Sequence, residues 1–463
     1  MKSIALLPPA LVVAGTLAAG AVMLPASAPL AEVVPGGPVS GPRDLGLLAL
    51  AAVACCVAFT AWPWSVLPTA IIGVLGVLIL LGDNSIPVVL GLHGFLLAAG
   101  CAGLSLRRLF LPERRSRATA VADGPMAVLA GLIVVAACYG FLLGNDPAQI
   151  LIAGYHFAVI PVYYFLATCT LTTPQWRHRA AVLFVVGAAG FTVLEMAAPG
   201  RHGGSWALLA AVPLVVLSCQ AAGWRRVGLL ALAALFLADV VLAAYRTTWT
   251  LAGVAVLGLL VLGTARIRRT AGALLALTAL LVVVGIAVSP GIRERSMEMT
   301  TAMETDAGHR MPEAKVGFET FLANPLTGAG LGQSTPDVYL PGNEVTDVGP
   351  LYHLYYAMVL ANLGIFGLLA LLWPILRALR AGLAQRDGIA FAFAVLILGF
   401  LVSVSFSGPA TGHWALGLLP ALVLLTRRAD PAAGPTSLPA QSSTETYTHA
   451  RSRTGSRTLA AVG

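Results

Sequence analysis

The residues that could do chemistry are the few polar ones at the edges of long apolar runs. His353 opens one run, and an imidazole at such an edge serves either as an acid–base group or as a structural residue. Arg246 stands at the break between two other runs, and Asp239 and Glu195 lie within runs near the same predicted face. Ionisable groups inside apolar segments are costly and usually face a cavity or a partner. Arg246 therefore either forms an ion pair with one of these acids or binds an anionic ligand.

Further polar and glycine-rich features belong to the same predicted outer side. His93 and His156 lie in the outer portions of their apolar runs. A glycine-rich segment, 324–332, contains Gly328 and Gly330. Such a segment permits a tight turn, which could aim N–H groups at a phosphate or could be a turn and nothing more. The polar groups of the sequence thus gather toward one face.

The elements that must position these residues are membrane-spanning helices. Apolar residues make up 58% of the 463 residues and charged residues only 10%, which excludes an ordinary soluble protein, since about 25% of such a chain is charged. The net charge is +8, but the sequence has no stripe of basic residues interleaved with aromatic residues, which is typical of proteins that bind nucleic acid. We predict an all-α fold, a polytopic membrane helix bundle of about 14 (12–14) transmembrane helices. The predicted spans begin near Ile4, Gly46, Val66, Ile86, Met126, Gln149, Ala180, Ser205, Val227, Thr248, Ala271, His353, Gly388 and Trp414.

The distribution of positive charge predicts the orientation. With the N-terminus in the cytoplasm, the even-numbered loops carry most of the lysines and arginines, for example the five arginines within 107–117. This alternation predicts a multi-pass protein of the cytoplasmic (inner) membrane with both termini in the cytoplasm. The first apolar run also resembles a signal peptide that ends at Ala26-Ser27-Ala28, and its removal would leave the later loops on the same sides.

Hydropathy divides the chain into four segments. Residues 1–289 hold the first eleven predicted spans, and residues 290–352 form one large extracytoplasmic loop that contains short helices. Residues 353–428 hold the last three spans, and residues 429–463 form a tail that we predict to be disordered in the cytoplasm. An amphipathic stretch around 311–322 in the loop either lies along the bilayer surface or packs on the bundle.

Four short motifs occur in a set order around this loop. Arg246-Thr247-Thr248-Trp249 opens an apolar helix, and Arg310 precedes the amphipathic stretch. Asn324-Pro325-Leu326-Thr327-Gly328-Ala329-Gly330 follows, and then His353 with the segment 360–367. Together they resemble the O-antigen ligase and O-antigen polymerase-like family of membrane proteins.

The resemblance covers about 240–375 by motif and the other spans only by hydropathy. It departs from the family pattern at Leu354, where the family usually has Asn after the His, and at Tyr245, where Ser is common. It implies an enzyme, a membrane glycosyltransferase that takes a glycan from an undecaprenyl-diphosphate-linked donor on the outer face. In that reaction His353 is the general base, and Arg246 and Arg310 bind the diphosphate.

We expect four residues to support this site: Asp239, Glu195, Gly328 and Gly330. No metal ion or other cofactor is expected. The expected partners are a lipid-linked oligosaccharide donor, a glycan or lipid acceptor, membrane lipids and a chain-length regulator, and no nucleic acid.

Three functions remain open from the sequence. The number of predicted spans favours a polymerase of polysaccharide repeat units over a ligase that transfers the glycan to a lipid or protein acceptor. A lipid-linked glycan flippase is the third, although transporters usually have internal repeats and sites near the midplane. The motifs do not identify the sugar, the linkage, the acceptor or the oligomeric state.

Overall fold

The computed structural model describes residues 42–81, 86–110, 120–197, 204–242, 245–288, 312–339, 345–349, 351–352, 354–406 and 412–426. Most of these residues are helical. The described helices are α1 (Pro42–Ala61), α2 (Val66–Leu81), α3 (Ile86–Phe110), α4 (Ala120–Leu142), α5 (Pro147–Thr170), α6 (Pro174–Ala197), α7 (Ser205–Gln220), α8 (Gly223–Leu242), α9 (Arg246–Leu262), α10 (Ala265–Val288), α11 (312–323), α12 (Tyr355–Leu383), α13 (Ile389–Ser403) and α14 (Ala415–Thr426).

Two short strands follow α11 in the predicted loop. These strands, β1 (Thr335–Tyr339) and β2 (Val345–Val348), pair antiparallel, with Tyr339 opposite Val345. The helical character of the fold is confirmed, whereas this hairpin was not predicted. Sequence patterns miss it because both strands are short and lack a long apolar alternation.

Each predicted span after the first begins within a described helix or at most two residues before one. The span near Ile4 and the tail 429–463 lie outside the described residues. Within the part of the chain that the structure describes, four helical segments are long and apolar enough to cross a membrane; these are Ala122–Leu142, Pro147–Thr170, Pro174–Leu194 and Tyr355–Leu383. A fifth arises if α1 and α2, which bend by 114° around the 3-10 turn Pro63–Ser65, form one broken span. The count of about 14 spans and the large loop remain predictions.

Shorter apolar helices form the core of the bundle. Most residues of α13 and α14 are buried and none is exposed, and α13 packs against α7, α9, α12 and α14. Two glycines permit these helices to approach their neighbours closely. A Cβ at Gly399 of α13 would lie 3.0 Å from the carbonyl oxygen of Leu251 in α9, and a Cβ at Gly417 of α14 would meet the carbonyl oxygen of Ile160 in α5. The more exposed helices α4 and α6 lie outside this core.

A break divides α12 at Gly364. The backbone there is left-handed (φ 64°, ψ −167°), so the helical hydrogen bonds that cross it are lost. The glycine-rich segment replaces them: Ala329 N donates to Ala361 O at 2.8 Å, and Ile365 N donates to Pro325 O at 3.0 Å. In an apolar environment each freed backbone group needs such a partner, so the break and the segment depend on one another.

The same segment also contacts α4 and the start of α5. Gly328 has φ 69°, and a Cβ there would lie 2.5 Å from the carbonyl carbon of Asn362. Leu331 N donates to Ala136 O at 3.0 Å, and Asn145 Nδ2 donates to Leu331 O at 2.8 Å. The segment therefore holds α4, α5 and α12 together.

The break at Gly364 leads to a prediction about the stability of the protein. Gly364→Ala should destabilise the protein by more than about 2 kcal/mol, because an L-residue in this essentially glycine-only backbone region costs roughly 1–3 kcal/mol and the new Cβ would meet the carbonyl oxygen of Leu326. The matched control is Gly131→Ala in α4, where a Cβ meets nothing within 4 Å and helix propensity improves. Thermal unfolding of the purified variants in detergent would measure the difference. Equal unfolding temperatures for both variants would contradict the role of the break.

Candidate functional site

The structure describes part of the predicted site. Asp239 and Arg246 are described with their side chains, and Gly328 and Gly330 are also described. His353 and Arg310 lie outside the described residues, and Glu195 lies in α6 without a described side chain.

Arg246 is the first residue of α9 and is half-buried. It follows Tyr245, whose backbone is extended (φ −89°, ψ 123°). The N-terminus of a helix carries a partial positive charge, so a cation there does not stabilise the helix, whereas a bound anion is favoured. The position of Arg246 suits an anionic ligand better than it suits the stability of α9.

The end of α8 contacts the first turn of α9. The indole Nε1 of Trp249 donates to Val240 O at 3.0 Å. Asp239, directly before Val240, is buried, with 2% of its surface exposed. An acid thus lies on the segment that holds the start of α9, and an ion pair between Asp239 and Arg246 remains a prediction.

The end of α13 joins the starts of two helices. Ser403 Oγ donates to Thr247 O at 3.1 Å, in the first turn of α9. The carbonyl of the next residue, Val404, accepts from Tyr355 N at 3.2 Å, at the first residue of α12. We call this arrangement of Thr247, Tyr355, Ser403 and Val404 the α9–α12 junction. It joins the start of the helix that begins with Arg246 and the start of the helix that begins just after position 353 to the same end of α13.

The residues that flank His353 are held in place. Leu354 occupies the N-cap position of α12, and Tyr356 OH donates to Leu401 O at 2.8 Å. Tyr352 is buried, and a Cβ at Gly317 of α11 would lie 3.4 Å from its ring. The chain on both sides of the predicted base is therefore packed against the bundle and against α11.

Tyr352 is also a neutral hydrogen-bonding group. Burial raises the pKa of its phenol above the ordinary value, and the negative charge of Glu313 raises it further. A side-chain hydrogen bond with Thr320 lowers it, and the net direction is upward. Tyr352 therefore keeps its proton at neutral pH and links α11 to the start of α12 without adding a charge beside the site.

A buried cluster of histidines and tyrosines lies beside the junction. Its members, which we call the histidine–tyrosine cluster, are His93, Tyr155, His156, Tyr163, Tyr355 and His413. His93 Nδ1 lies 2.5 Å from Tyr155 OH, and His93 Nε2 lies 2.7 Å from Tyr163 OH. A neutral imidazole has one donor and one acceptor nitrogen, so His93 donates to one phenol and accepts from the other.

Ring contacts connect the cluster to α12. The ring of His156 lies 5.3 Å from those of Tyr155 and His413, and the ring of His413 lies 5.8 Å from that of Tyr355. His156 and His93 were both predicted to lie toward the outer face, and the structure brings them together. The cluster therefore reaches the first residue of α12.

The two predicted glycines belong to the segment that binds the break in α12. Gly328 N donates to Asn324 O at 2.9 Å, and Gly328 packs on the backbone of α12. A Cβ at Gly330 would lie 3.0 Å from Gly140 N and from the ring of Tyr139 in α4. These contacts give both glycines a packing role, and a role in phosphate binding remains a prediction.

No group of three or more His, Cys, Asp or Glu side chains within the described ranges could hold a metal ion. The expectation that the reaction needs no metal or other cofactor remains a prediction.

The apolar helices, with polar groups at the ends where α9, α12 and α14 begin, are typical of a polytopic membrane protein. Residues 230–372 match the family model described as O-antigen ligase. This match runs from α8 into α12, and it confirms the resemblance to the O-antigen ligase-like family. No curated protein matches the chain.

The family match implies glycan transfer of the O-antigen ligase or polymerase type by a membrane glycosyltransferase. It also implies lipid-linked glycan donors and corresponding acceptors. The matched range includes Asp239, Arg246, Arg310 and His353, together with the glycine-rich segment.

Sequence reasoning missed His413 and the α9–α12 junction. His413 directly precedes an apolar run, as His353 does, and that position was the signal that could have found it. Ser403 carries no comparable signal, because a single serine at the end of an apolar run is common. Its role depends on a contact with Thr247, which lies 156 residues away in the sequence.

The junction predicts the effect of Ser403→Ala. Loss of the Ser403–Thr247 hydrogen bond should cost about 0.5–1.5 kcal/mol of stability and lower glycan transfer several-fold, since the first turn of α9 is released. Ser218→Ala is the matched control, because buried Ser218 bonds only within its own helix, to Val215 O at 2.6 Å. It should cost a similar amount of stability without an effect on transfer. Thermal unfolding and product yield of both variants would test this, and equal transfer by the two would contradict it.

Proposed function

We propose that this protein transfers a glycan from an undecaprenyl-diphosphate-linked donor on the outer face of the cytoplasmic membrane. The reaction we assign is polymerisation of the repeat units of a surface or secreted polysaccharide. The observation that carries the proposal is the α9–α12 junction, in which Ser403 and Val404 hold the first turns of both helices. These helices begin at Arg246 and just after His353, within the region that matches the O-antigen ligase family.

Arg246 and Arg310 bind the diphosphate in this proposal. The planar guanidinium donates two parallel hydrogen bonds to phosphate oxygens and stays charged. The helix end at which Arg246 stands adds favourable backbone polarity for an anion. Both groups also offset the negative charge that develops on the leaving diphosphate as the sugar–phosphate bond breaks.

His353 is the general base. A hydroxyl of the acceptor glycan attacks the anomeric carbon of the donor, and His353 takes the hydroxyl proton. The new glycosidic bond forms as the bond to the diphosphate breaks, and undecaprenyl diphosphate leaves with the bonding electrons. His353 then returns its proton to water on the outer face. No nucleotide is required, because the lipid diphosphate is itself the activated leaving group.

Asp239 and Glu195 are supporting residues in this scheme, since an acid near an arginine orients the guanidinium. Asp239 is the better supported of the two, because it is buried on the segment that contacts the first turn of α9. Gly328 and Gly330 support the site through the position of the segment that binds the break in α12.

Ligation of a finished glycan to a lipid or protein acceptor is the second candidate function. The observation that favours it is the description of the matched family model as O-antigen ligase. The two functions share the donor and the proposed residues and differ only in the acceptor. A polymerase would also work with a chain-length regulator.

Replacement of the proposed base should abolish transfer. We expect His353→Ala to lower product formation by about 10²–10⁴-fold, because proton transfer by a positioned base contributes that much. The protein should remain at normal abundance in the membrane. His178→Ala, an exposed histidine in α6, is the control and should leave activity unchanged. Loss of the His353→Ala protein from the membrane would identify His353 as structural.

The glycan that accumulates in cells with only the His353→Ala protein distinguishes the functions. Single repeat units on the carrier at the outer leaflet indicate a polymerase, and long chains still on the carrier indicate a ligase. Carrier-linked glycan confined to the cytoplasmic leaflet would indicate a flippase and would overturn the proposed enzyme.

The diphosphate role of Arg246 makes a separate prediction. Arg246→Lys should lower transfer about tenfold or more, since an ammonium group is a point charge and cannot replace the planar fork. Arg268→Lys, at an exposed arginine of α10, should have no effect. The measurement is the initial rate of transfer with purified lipid-linked donor. Full activity of Arg246→Lys would remove this residue from the diphosphate site.

A further inference from the structure

The surface of α11 has three sides. Ala314 faces the bundle and is buried, with 7% of its surface exposed. Phe318 and Leu322 lie on the next side of the helix and are 48% and 72% exposed. Glu319 follows on the third side, with 62% of its side-chain surface exposed. Lys315 is 77% exposed and lies between the apolar and charged sides, and its ammonium group is 3.8 Å from the Glu319 carboxylate. Helical spacing therefore places an apolar side between the protein-facing side and the charged side.

This apolar side continues beyond the helix. Leu326, four residues after Leu322, is 58% exposed. We call Phe318, Leu322 and Leu326 the apolar stripe. Large apolar side chains exposed in a row mark a surface that another apolar phase covers.

The apolar stripe joins the exposed apolar surface of α12. The carbonyl of Leu326 accepts from Phe366 N at 3.4 Å, just after the break at Gly364. Further exposed apolar side chains then follow along the helix at spacings of three and four; they are Phe366, Leu369, Trp373 and Leu376. Since Tyr355–Leu383 is long and apolar enough to cross a membrane, this row is the surface that α12 presents to lipid.

A second membrane-spanning candidate lies beside the same segment. Gly330 approaches the ring of Tyr139 in the last turns of α4, where a Cβ would lie 3.0 Å from it. Leu142 and Leu143 at that end of α4 are also exposed. The charge distribution predicts that this end of α4 lies at the outer face. The segment that carries Leu326 thus lies between two apolar surfaces at one membrane boundary.

We propose that α11 is an interfacial helix whose apolar stripe is covered by the acyl chains of outer-leaflet phospholipid. The protein-facing side packs on the start of α12 through Tyr352, the apolar stripe enters the lipid, and Lys315 and Glu319 remain at the headgroup level. The lipid surface then sets the depth of the glycine-rich segment and of the chain that leads to His353. This inference concerns the position of α11 in the membrane and does not rest on the proposed glycosyl transfer.

The test measures whether lipid or water surrounds the apolar stripe of α11. A nitroxide label is placed at Leu322→Cys in the full-length chain carrying Cys138→Ala, because Cys138 is the native cysteine that is exposed. The protein is reconstituted in nanodiscs of phosphatidylcholine and phosphatidylglycerol. Collisions of the label with oxygen, which concentrates in lipid, are compared with collisions with a water-soluble nickel chelate. Signal from the Cys138→Ala chain without an added cysteine is subtracted.

We expect the label at Leu322→Cys to collide with oxygen several-fold more than with the nickel chelate. Glu319→Cys, about 100° around the helix from Phe318, is the matched control and should show the reverse. Phe318→Cys repeats the measurement one turn earlier, so a folding defect in one variant does not remove the test. A Leu322→Cys label as accessible to the nickel chelate as the Glu319→Cys label would overturn the proposal. A label shielded from both reagents would also overturn it and would indicate that a second protein copy covers the stripe.

Discussion

The end of α13 carries the contact on which the arrangement of the site depends. Ser403 and Val404 are consecutive, so their α-carbons lie about 3.8 Å apart, and each holds the first turn of a different helix. The start of α9 and the start of α12 therefore cannot separate without a break in one of two hydrogen bonds. Because most of α13 is buried, its end is itself held by the core. A rigid core thus fixes the spacing of two loop-to-helix boundaries, which is where residues can reach both lipid and water.

The glycine-rich segment and the break in α12 form a second dependent pair. A helix with a left-handed residue in its interior leaves backbone groups unpaired, and an apolar environment makes such groups costly. The segment around Gly328 supplies the missing partners and reaches α4 and α5 as well. The predicted loop is therefore attached to the bundle through its backbone. Position 328 requires glycine because the backbone of α12 occupies the space that a Cβ would need.

The histidine–tyrosine cluster connects this outer region with the interior. His93 is satisfied by two phenols, and the ring contacts from Tyr155 to Tyr355 cross α5, the start of α14 and the start of α12. Tyr355 belongs to both the cluster and the α9–α12 junction. The two hydrogen bonds of His93 specify its position, because another arrangement would leave its donor or its acceptor without a partner. The start of α12 is therefore determined from two sides, by backbone hydrogen bonds and by aromatic packing.

The sequence by itself determined where helices form and which polar residues stand at their ends, because apolar runs and their interruptions are local properties of the chain. Arg246 was correctly expected to open a helix, and the stretch around 311–322 was correctly expected to be helical. The tertiary structure alone decided that Ser403 meets Thr247, that His413 approaches Tyr355, and that the glycine-rich segment binds a break in α12 rather than forming a free turn. Such contacts join residues far apart in the chain. They depend on how whole helices pack, and a single sequence does not encode that packing in any local pattern.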